Sequence, residues 1–448
     1  MKTISREQTR KKYKKNTKEI NRRRTPMNKN KNRFLFINRN FTVGVKLSVF
    51  ICVYLWLISP VFAAQTRAVW VRPFIGADVE TRKNAAKGRE FIRAELRKIK
   101  RADLNTVYLE SFWDGYTIYP SKFAAQRPLR IEYGTADSDG KSWDVLKTYI
   151  EEGDKLNVKI HAWLHVFHQW NTNLGGLENS PIFAKHKDWA ALDSSGSPLV
   201  RSEAEGANRD IYKVFMSPSH TEVRKFLREI VGEITKNYPR LGGIQWDYIR
   251  YPLQTDESSF DYNPLTVARF RKESGLDAKK LSAKNTPKEW KIWQDWKTAQ
   301  VTETVEELAA IVRKNQPQWE ISAAVFPDIE QNLRVKQQDW KTWAAKGYVD
   351  ALLPMLYSKD FNKVEIWAKG FRRDVAPKTK IYPALFIGHF YDAKTKKLDG
   401  GYLQIPAKFQ FDGFGLFAAQ SLTEDLIEKL AANKHQKTRR ESTADENR

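Results

Sequence analysis

Gly242-Gly-Ile-Gln-Trp-Asp-Tyr-Ile-Arg-Tyr-Pro252 reads as a β-strand that ends at a chemical site. Ile244, Trp246 and Tyr248 alternate with Gln245 and Asp247, so a period of two puts the apolar side chains on one face and the amide and carboxylate on the other, with Arg250 just beyond. Working outward, similar apolar, β-branched or aromatic runs recur at Arg67–Phe74, Asn105–Phe112, Val158–Phe167, Glu320–Phe326, Val349–Tyr357, Ile381–Ile387 and Phe411–Ala418. Amphipathic stretches separate them, such as Val223, Phe226, Leu227, Ile230, Val231 and Ile234 after a Ser219 cap. Eight strand–helix units predict an α/β fold, a single (β/α)8 TIM barrel. Two connections are long, Gln169 to Ser219 after strand three and Leu253 to Lys291 after strand four. Both leave from the C-terminal ends of strands, the face where barrel enzymes carry their sites.

The chain has 448 residues and a formal charge of +24, but the charge is unevenly placed. Residues 1–64 hold 16 Lys and Arg against Glu7 and Glu19, so +14 sits there and +10 on the other 384 residues. A nucleic-acid partner is therefore not indicated by the total. The basic leader is followed by the apolar run Leu47–Ile58 and then Ser59-Pro-Val-Phe-Ala-Ala64, the three parts of a secretory signal peptide with cleavage after Ala63 or Ala64. The alternative is an uncleaved anchor, since Lys46 to Gln65 encloses 18 mostly apolar residues. Either reading exports the remainder to the periplasm or cell surface, with the membrane touched only through this segment. The expected organisation is thus a leader over 1–64, a barrel over 65–433 and a polar, disordered tail over 434–448. The single Cys52 lies in the apolar run, so disulfide and thiolate chemistry are excluded from the mature chain.

Applying the same alternation to each strand gives an inward-facing set. Strand two offers Tyr108, Glu110 and Phe112, strand three His161, Trp163 and His165, strand four Gln245 and Asp247, and strand one Trp70 and Arg72. Barrel interiors are normally filled with Val, Ile and Leu, so acids, histidines and aromatics converging at one end point to a site. Glycoside hydrolysis needs two carboxyl groups flanking the scissile bond. Asp247 is one candidate, and Glu110 or Asp328 the other. Glu110 has a competing reading as the ion-pair partner of Arg72, and Asp328 as a helix cap. Asp114, in Trp113-Asp-Gly-Tyr116, reads first as turn chemistry. Arg72, Trp113, Tyr116, His161, His165, Gln245, Arg250, Tyr251 and Tyr357 are candidate sugar contacts. His161 and His165 would suit a metal pair, but no third ligand appears at a recognised spacing, and hydrogen bonding to a carboxylate or sugar accounts for them without metal. No cofactor is expected. There is no Gly-x-Ser-x-Gly elbow, phosphate loop or dinucleotide fingerprint.

Residues 242–252 resemble the fourth-strand motif of the glycosyl-hydrolase-like family ten proteins, the exported YngK-type group once classed as a domain of unknown function. Further matches are Arg67-Ala-Val-Trp70, Asn105-Thr-Val-Tyr108, Gly115-Tyr-Thr-Ile-Tyr-Pro-Ser121, His161-Ala-Trp-Leu164, Gln338-Asp-Trp340, Gly347-Tyr-Val-Asp350 and Pro354-Met-Leu-Tyr357. The resemblance spans roughly residues 66 to 425 and implies a (β/α)8 glycosidase-like domain, exported, with members acting on bacterial cell-wall glycan; the motif Asp carries over to Asp247. Gly242 or Gly243 stands where the family has its first Asp, and Gln245 where it has His. The expected function is an exported glycosidase acting on polysaccharide, foremost peptidoglycan glycan. The alternative is a non-catalytic saccharide-binding or wall-scaffold protein, which the Gln245 departure keeps open. A metal-dependent sugar deacetylase is a third, weaker reading. Oligomeric state is not legible in the sequence.

Overall fold

The computed structural model describes residues 65–432, except 76, 78–80, 82–83, 128–142, 202–211 and 256–258. The leader and apolar run at 1–64 and the tail at 434–448 lie outside the described residues. Among those described, no helix is long and apolar enough to cross a membrane.

Eight parallel strand positions form the barrel: β1 (Thr66–Val71), β2 (Thr106–Trp113), β3 (Lys159–His165), β4 (Gly243–Asp247), β5 (Glu320–Val325), β6 (Ala351–Pro354), β7 in two pieces (Lys380–Ile381 and Ala384–Phe386) and β8 (Gly413–Phe417). Neighbours pair in chain order from β1 to β6, and β1 pairs with β8. The ring closes through β7, whose first piece pairs with β6 and second with β8, while Met355 bridges to Ala384. Pro383 interrupts that strand because it has no N–H to give to a ladder. The (β/α)8 expectation is met.

The helices follow their strands: α1 (Ala85–Arg101), α2 (Val145–Lys155), α3 (Thr221–Asn237), α4 (Pro287–Asn315), α5 (Trp340–Lys346), α6 (Phe361–Asp374) and α7 (Gly400–Lys408), with a last helical stretch over 424–432. The cap of α3 is His220, one residue later than expected, because Ser219 instead hydrogen-bonds Asp261. The connection after β3 carries a small antiparallel sheet of His168–Asn171, Tyr212–Phe215 and Val200–Arg201. That after β4 is less of a loop than the sequence suggested. It contains the helix Pro264–Ser274, and α4 begins early enough to include Trp290, Trp293 and Trp296. Trp293 is buried in a satellite core with Phe270, Tyr262, Val267 and Ala278.

Two layers of core separate cleanly. Val69, Val107, Leu109, Ile160, Ala162 and Ile244 face the helices. Ala68, Trp70, Tyr108, Trp163, Leu353 and Tyr382 fill the interior. Within the strands the alternation fails at Phe112, expected inside. The β2–β3 register shifts between Glu110 and Phe112, and this bulge at Ser111 turns Phe112 outward against Phe226 of α3.

Candidate active site

Glu110 and Asp247 reach the C-terminal end of the barrel on β2 and β4, with β3 between them. The strand register sets Glu110 opposite Trp163 and His165 opposite Asp247. That stagger brings the side chains into one cluster. Trp163 Nε1 donates to Asp247 Oδ2 at 3.0 Å, and the Tyr248 backbone N–H donates to Asp247 Oδ1 at 2.7 Å, so each carboxylate oxygen receives one donor. His165 Nε2 lies 3.1 Å from Glu110 Oε1, off the line of a well-formed hydrogen bond, and Arg72 Nε lies 3.5 Å from the same oxygen.

Glu110 is buried, at 2% exposure. Burial pushes its carboxyl pKa up, but Arg72, His165 and Arg127 together more than offset that and hold it below the usual carboxylate value. Asp114 goes the other way: burial raises it, and Arg127, at 3.6 Å, only partly restores the charged form. Asp114 and Gly115 sit in a tight turn at φ 49° and 76°, as the Asp-Gly pair predicted, and Asn171 Nδ2 donates to Asp114 Oδ1 at 2.8 Å.

Tyr248 is the residue that period-two reading misplaced. Its backbone is left-handed, φ 49°, immediately after β4. This conformation costs a bulky residue about 1–2 kcal/mol. It takes the ring off the outward face and lays it against His165 and His168, with centroids 4.8 and 4.7 Å apart. The Tyr248 hydroxyl accepts from Lys213 Nζ at 3.3 Å, a contact supplied by the insertion after β3. His168 is neutral: its Nε2–H donates to the Trp170 carbonyl at 3.1 Å, and burial followed by the charge of His165 drives its pKa well down.

The other expected contacts divide. Arg72 and the half-buried Tyr357 stand at the cluster; burial, then the nearby Asp247 charge, pushes the Tyr357 phenol pKa well up. Arg250 is buried and packed against the rings of Tyr248, Phe215 and Phe326, at 5.1, 5.6 and 5.2 Å. Gln245 is fully buried and accepts from Trp70 Nε1 at 2.6 Å, inside the barrel. Trp113 is 6% exposed and covered by Arg127 at 4.4 Å, which also lies 5.5 Å from the Tyr116 ring. Tyr251 is fully buried and donates to Asp261 Oδ2 at 2.5 Å, in a network with Ser217 and Ser219 that pins the two insertions together. His161 lies at the opposite end of β3, packed on Gly242 and Gly243 and facing the charge of Glu320. Asp328 is exposed and caps the helix Ile329–Val335, its Oδ1 accepting from Gln331 N at 3.0 Å. Of the three catalytic candidates, the structure therefore joins Glu110 and Asp247 to one cluster and gives Asp328 a capping role. Among the described residues no group of three His, Cys, Asp or Glu is arranged to hold a metal ion.

Sequence reasoning missed Tyr248's orientation, Lys213 and the donor role of Trp163. Trp163 was legible as an inward neighbour of both histidines; nothing in the sequence flags the other two.

The family model for glycosyl hydrolase-like 10 matches residues 65–378. The chain belongs to that family. Two curated relatives of the glycosyl hydrolase-like 10 chain are glycosyl hydrolase DigH of Escherichia coli K12, 21% identical over 64% of this chain, and glycosyl hydrolase YngK of Bacillus subtilis, 20% identical over 74%. The chain spans 63% and 60% of their respective lengths. In solved structures the same fold recurs in the catalytic domain of a β-amylase from Paenibacillus polymyxa, with TM-score 0.54 at 14% identity, covering 81% of this chain and 94% of that one. It recurs again in a β-galactosidase from Marinomonas ef1, with TM-score 0.53 at 10% identity, covering 85% and 60%. These likenesses establish the barrel fold of this glycosyl hydrolase-like 10 member.

Proposed function

We propose that this protein is an exported glycoside hydrolase that cleaves a bacterial cell-wall glycan with Glu110 and Asp247 as its carboxyl pair. The observation that carries the reading is the single cluster of Glu110, His165, Trp163 and Asp247 at the C-terminal end of the barrel. Glu110, kept ionised by its neighbours, fits the group that attacks the anomeric carbon or activates water, and Asp247 is its partner carboxyl. Arg72 and Lys213 put two cations at the same end, which favours a glycan bearing carboxylates, as wall polymers do. Membership of a glycosyl hydrolase-like family and the names of DigH and YngK support hydrolysis as the activity.

The test is to incubate the purified protein, and its Asp247→Asn and Glu110→Gln variants, with peptide-free and peptide-bearing glycan strands and count new reducing ends. New ends from the wild type alone support the proposal. The engagement of Glu110 with Arg72, and Gln245 in place of the family His, favour one rival, a saccharide-binding protein without turnover. Retention of all three proteins on the strands with no new ends would establish that rival.

A further inference from the structure

Trp113, Tyr116, Tyr251 and Tyr357 were the aromatic sugar contacts expected from sequence, and none of them is exposed. Among the described residues two of the Phe, Tyr and Trp side chains are exposed, Phe123 and Phe386. Phe386 stands at the barrel mouth. It ends β7 and pairs with Phe417, which ends β8. Alternation along β7 sends Ala384 to the interior, Leu385 to the helices and Phe386 inward again, where it meets Tyr357 and Phe417. An apolar ring turned into a barrel is ordinarily covered by its neighbours, yet 36% of Phe386 stays open to water.

The ring is held in place on several sides. Phe417 lies 6.2 Å away and nearly parallel, at 29°, Tyr357 lies 5.9 Å away, and His389 meets the ring edge-on at 4.8 Å. Gly388 makes room for it, since a Cβ there would come within 2.9 Å of Phe386 Cε1. From Phe386 an aromatic strip continues inward. Phe417 lies 6.4 Å from Trp163, whose Nε1 donates to Asp247 Oδ2. The Arg72 guanidinium lies 5.9 Å from the Phe417 ring and 5.9 Å from the Trp163 ring, and its Nε is 3.5 Å from Glu110 Oε1. The strip thus joins the exposed ring to both carboxyl groups. Apolar surface left in water is unfavourable, and the apolar face of a ligand removes it from water.

We propose that Phe386 is the stacking platform of a sugar subsite beside the carboxyl pair, holding a β-linked pyranose next to the one that is cleaved. The axial C–H groups of such a pyranose form a flat apolar face, which suits the negative face of an aromatic ring. Phe386 stands two ring contacts from Trp163, so the sugar it carries flanks the reacting unit. The choice of a saccharide rests on the glycan-directed reading above; the inward ring and its open face do not.

The test titrates fluorescently labelled, peptide-free glycan strands into the Asp247→Asn protein, chosen so that strands are not consumed, and into the same protein carrying Phe386→Tyr, Phe386→Leu or Phe386→Ala. New reducing ends are counted in parallel for the wild type. The expected result is a roughly tenfold rise in Kd for the Leu and Ala variants, equivalent to about 1.4 kcal/mol, with the Tyr variant within about twofold of the parent. Phe386→Leu keeps the test valid should Phe386→Ala unfold, because it keeps apolar bulk while removing the ring, and an unchanged Tm certifies it. Equal Kd for all four proteins, a Tyr variant as weak as the Leu variant, or no binding by the Asp247→Asn parent overturns the platform; reducing ends from the wild type in those cases leave the hydrolase reading in place. Weaker binding by the Leu and Ala variants with no reducing ends from the wild type leaves the platform standing and removes the hydrolase reading.

Discussion

The most exposed prediction concerns pH and a histidine far from the proposed chemistry. His161 is 3% exposed, its Nδ1 has no hydrogen-bond partner among the described residues, and the ring is wedged against two glycines: a Cβ on Gly242 or Gly243 would come within 2.8 Å of it. Burial drives its pKa from 6.5 down to about 4; the charge of Glu320 pulls it back only in part, and Lys159 and Lys380 push it lower still. In the unfolded chain the imidazole takes its proton near pH 6.5. Between pH 6.5 and 4 the unfolded state therefore holds more protons, so the stability contributed by neutral His161 is fully present above 6.5 and is lost as pH falls through that window. A shift of this size corresponds to about 3 kcal/mol in total, of which about 2 kcal/mol is gone by pH 5. Urea unfolding at pH 7.5, 6, 5 and 4.5 of the wild type and His161→Gln would show the difference between their unfolding free energies shrinking by that amount. His168 titrates in the same direction but is common to both proteins and cancels. Curves that stay parallel across the whole range would refute the assignment of a neutral His161 to the barrel floor.

The remaining predictions concern the cluster and the backbone. Glu110→Gln should lower turnover on glycan by about a thousandfold or more, in keeping with loss of one of the two carboxyl groups. Asp328→Ala should leave turnover intact and cost about 1 kcal/mol in a denaturant melt, the worth of a helix cap; the reverse pattern would move the second carboxyl to Asp328. Tyr248→Ala should reduce kcat far more than Tyr248→Phe, because the ring braces His165 and His168 while the hydroxyl only meets Lys213. Gly243→Ala, whose Cβ would fall 2.2 Å from the Glu320 carbonyl oxygen, should cost several kcal/mol or abolish folding. Gly370→Ala, inside α6 with open space around it, should raise stability by about 1 kcal/mol, read as Tm.

What the sequence disclosed follows from how parallel strands are built. Strands buried on both faces read as apolar runs, so all eight were visible, and alternation put Tyr108, Glu110, Trp163, Gln245 and Asp247 inside correctly. It failed where the backbone left strand geometry, at the Ser111 bulge and at left-handed Tyr248. The site was harder. That Trp163 reaches Asp247, and that His165 rather than His161 meets Glu110, depends on the stagger between three strands, which sequence position does not record. The competing readings of Asp328 and Glu110 could be parted only by seeing which one a helix claims.

The split in β7 also bears on how the molecule breathes. A closed barrel is a hoop, and a hoop opens at its weakest joint. Here one strand supplies only two paired residues to β6 in its first piece and three to β8 in its second, around a proline that gives no hydrogen. Amide hydrogens flanking Pro383 should exchange with solvent sooner than those of β2 or β3, and Tyr357 and Phe386, which meet beside that joint, would feel its opening first.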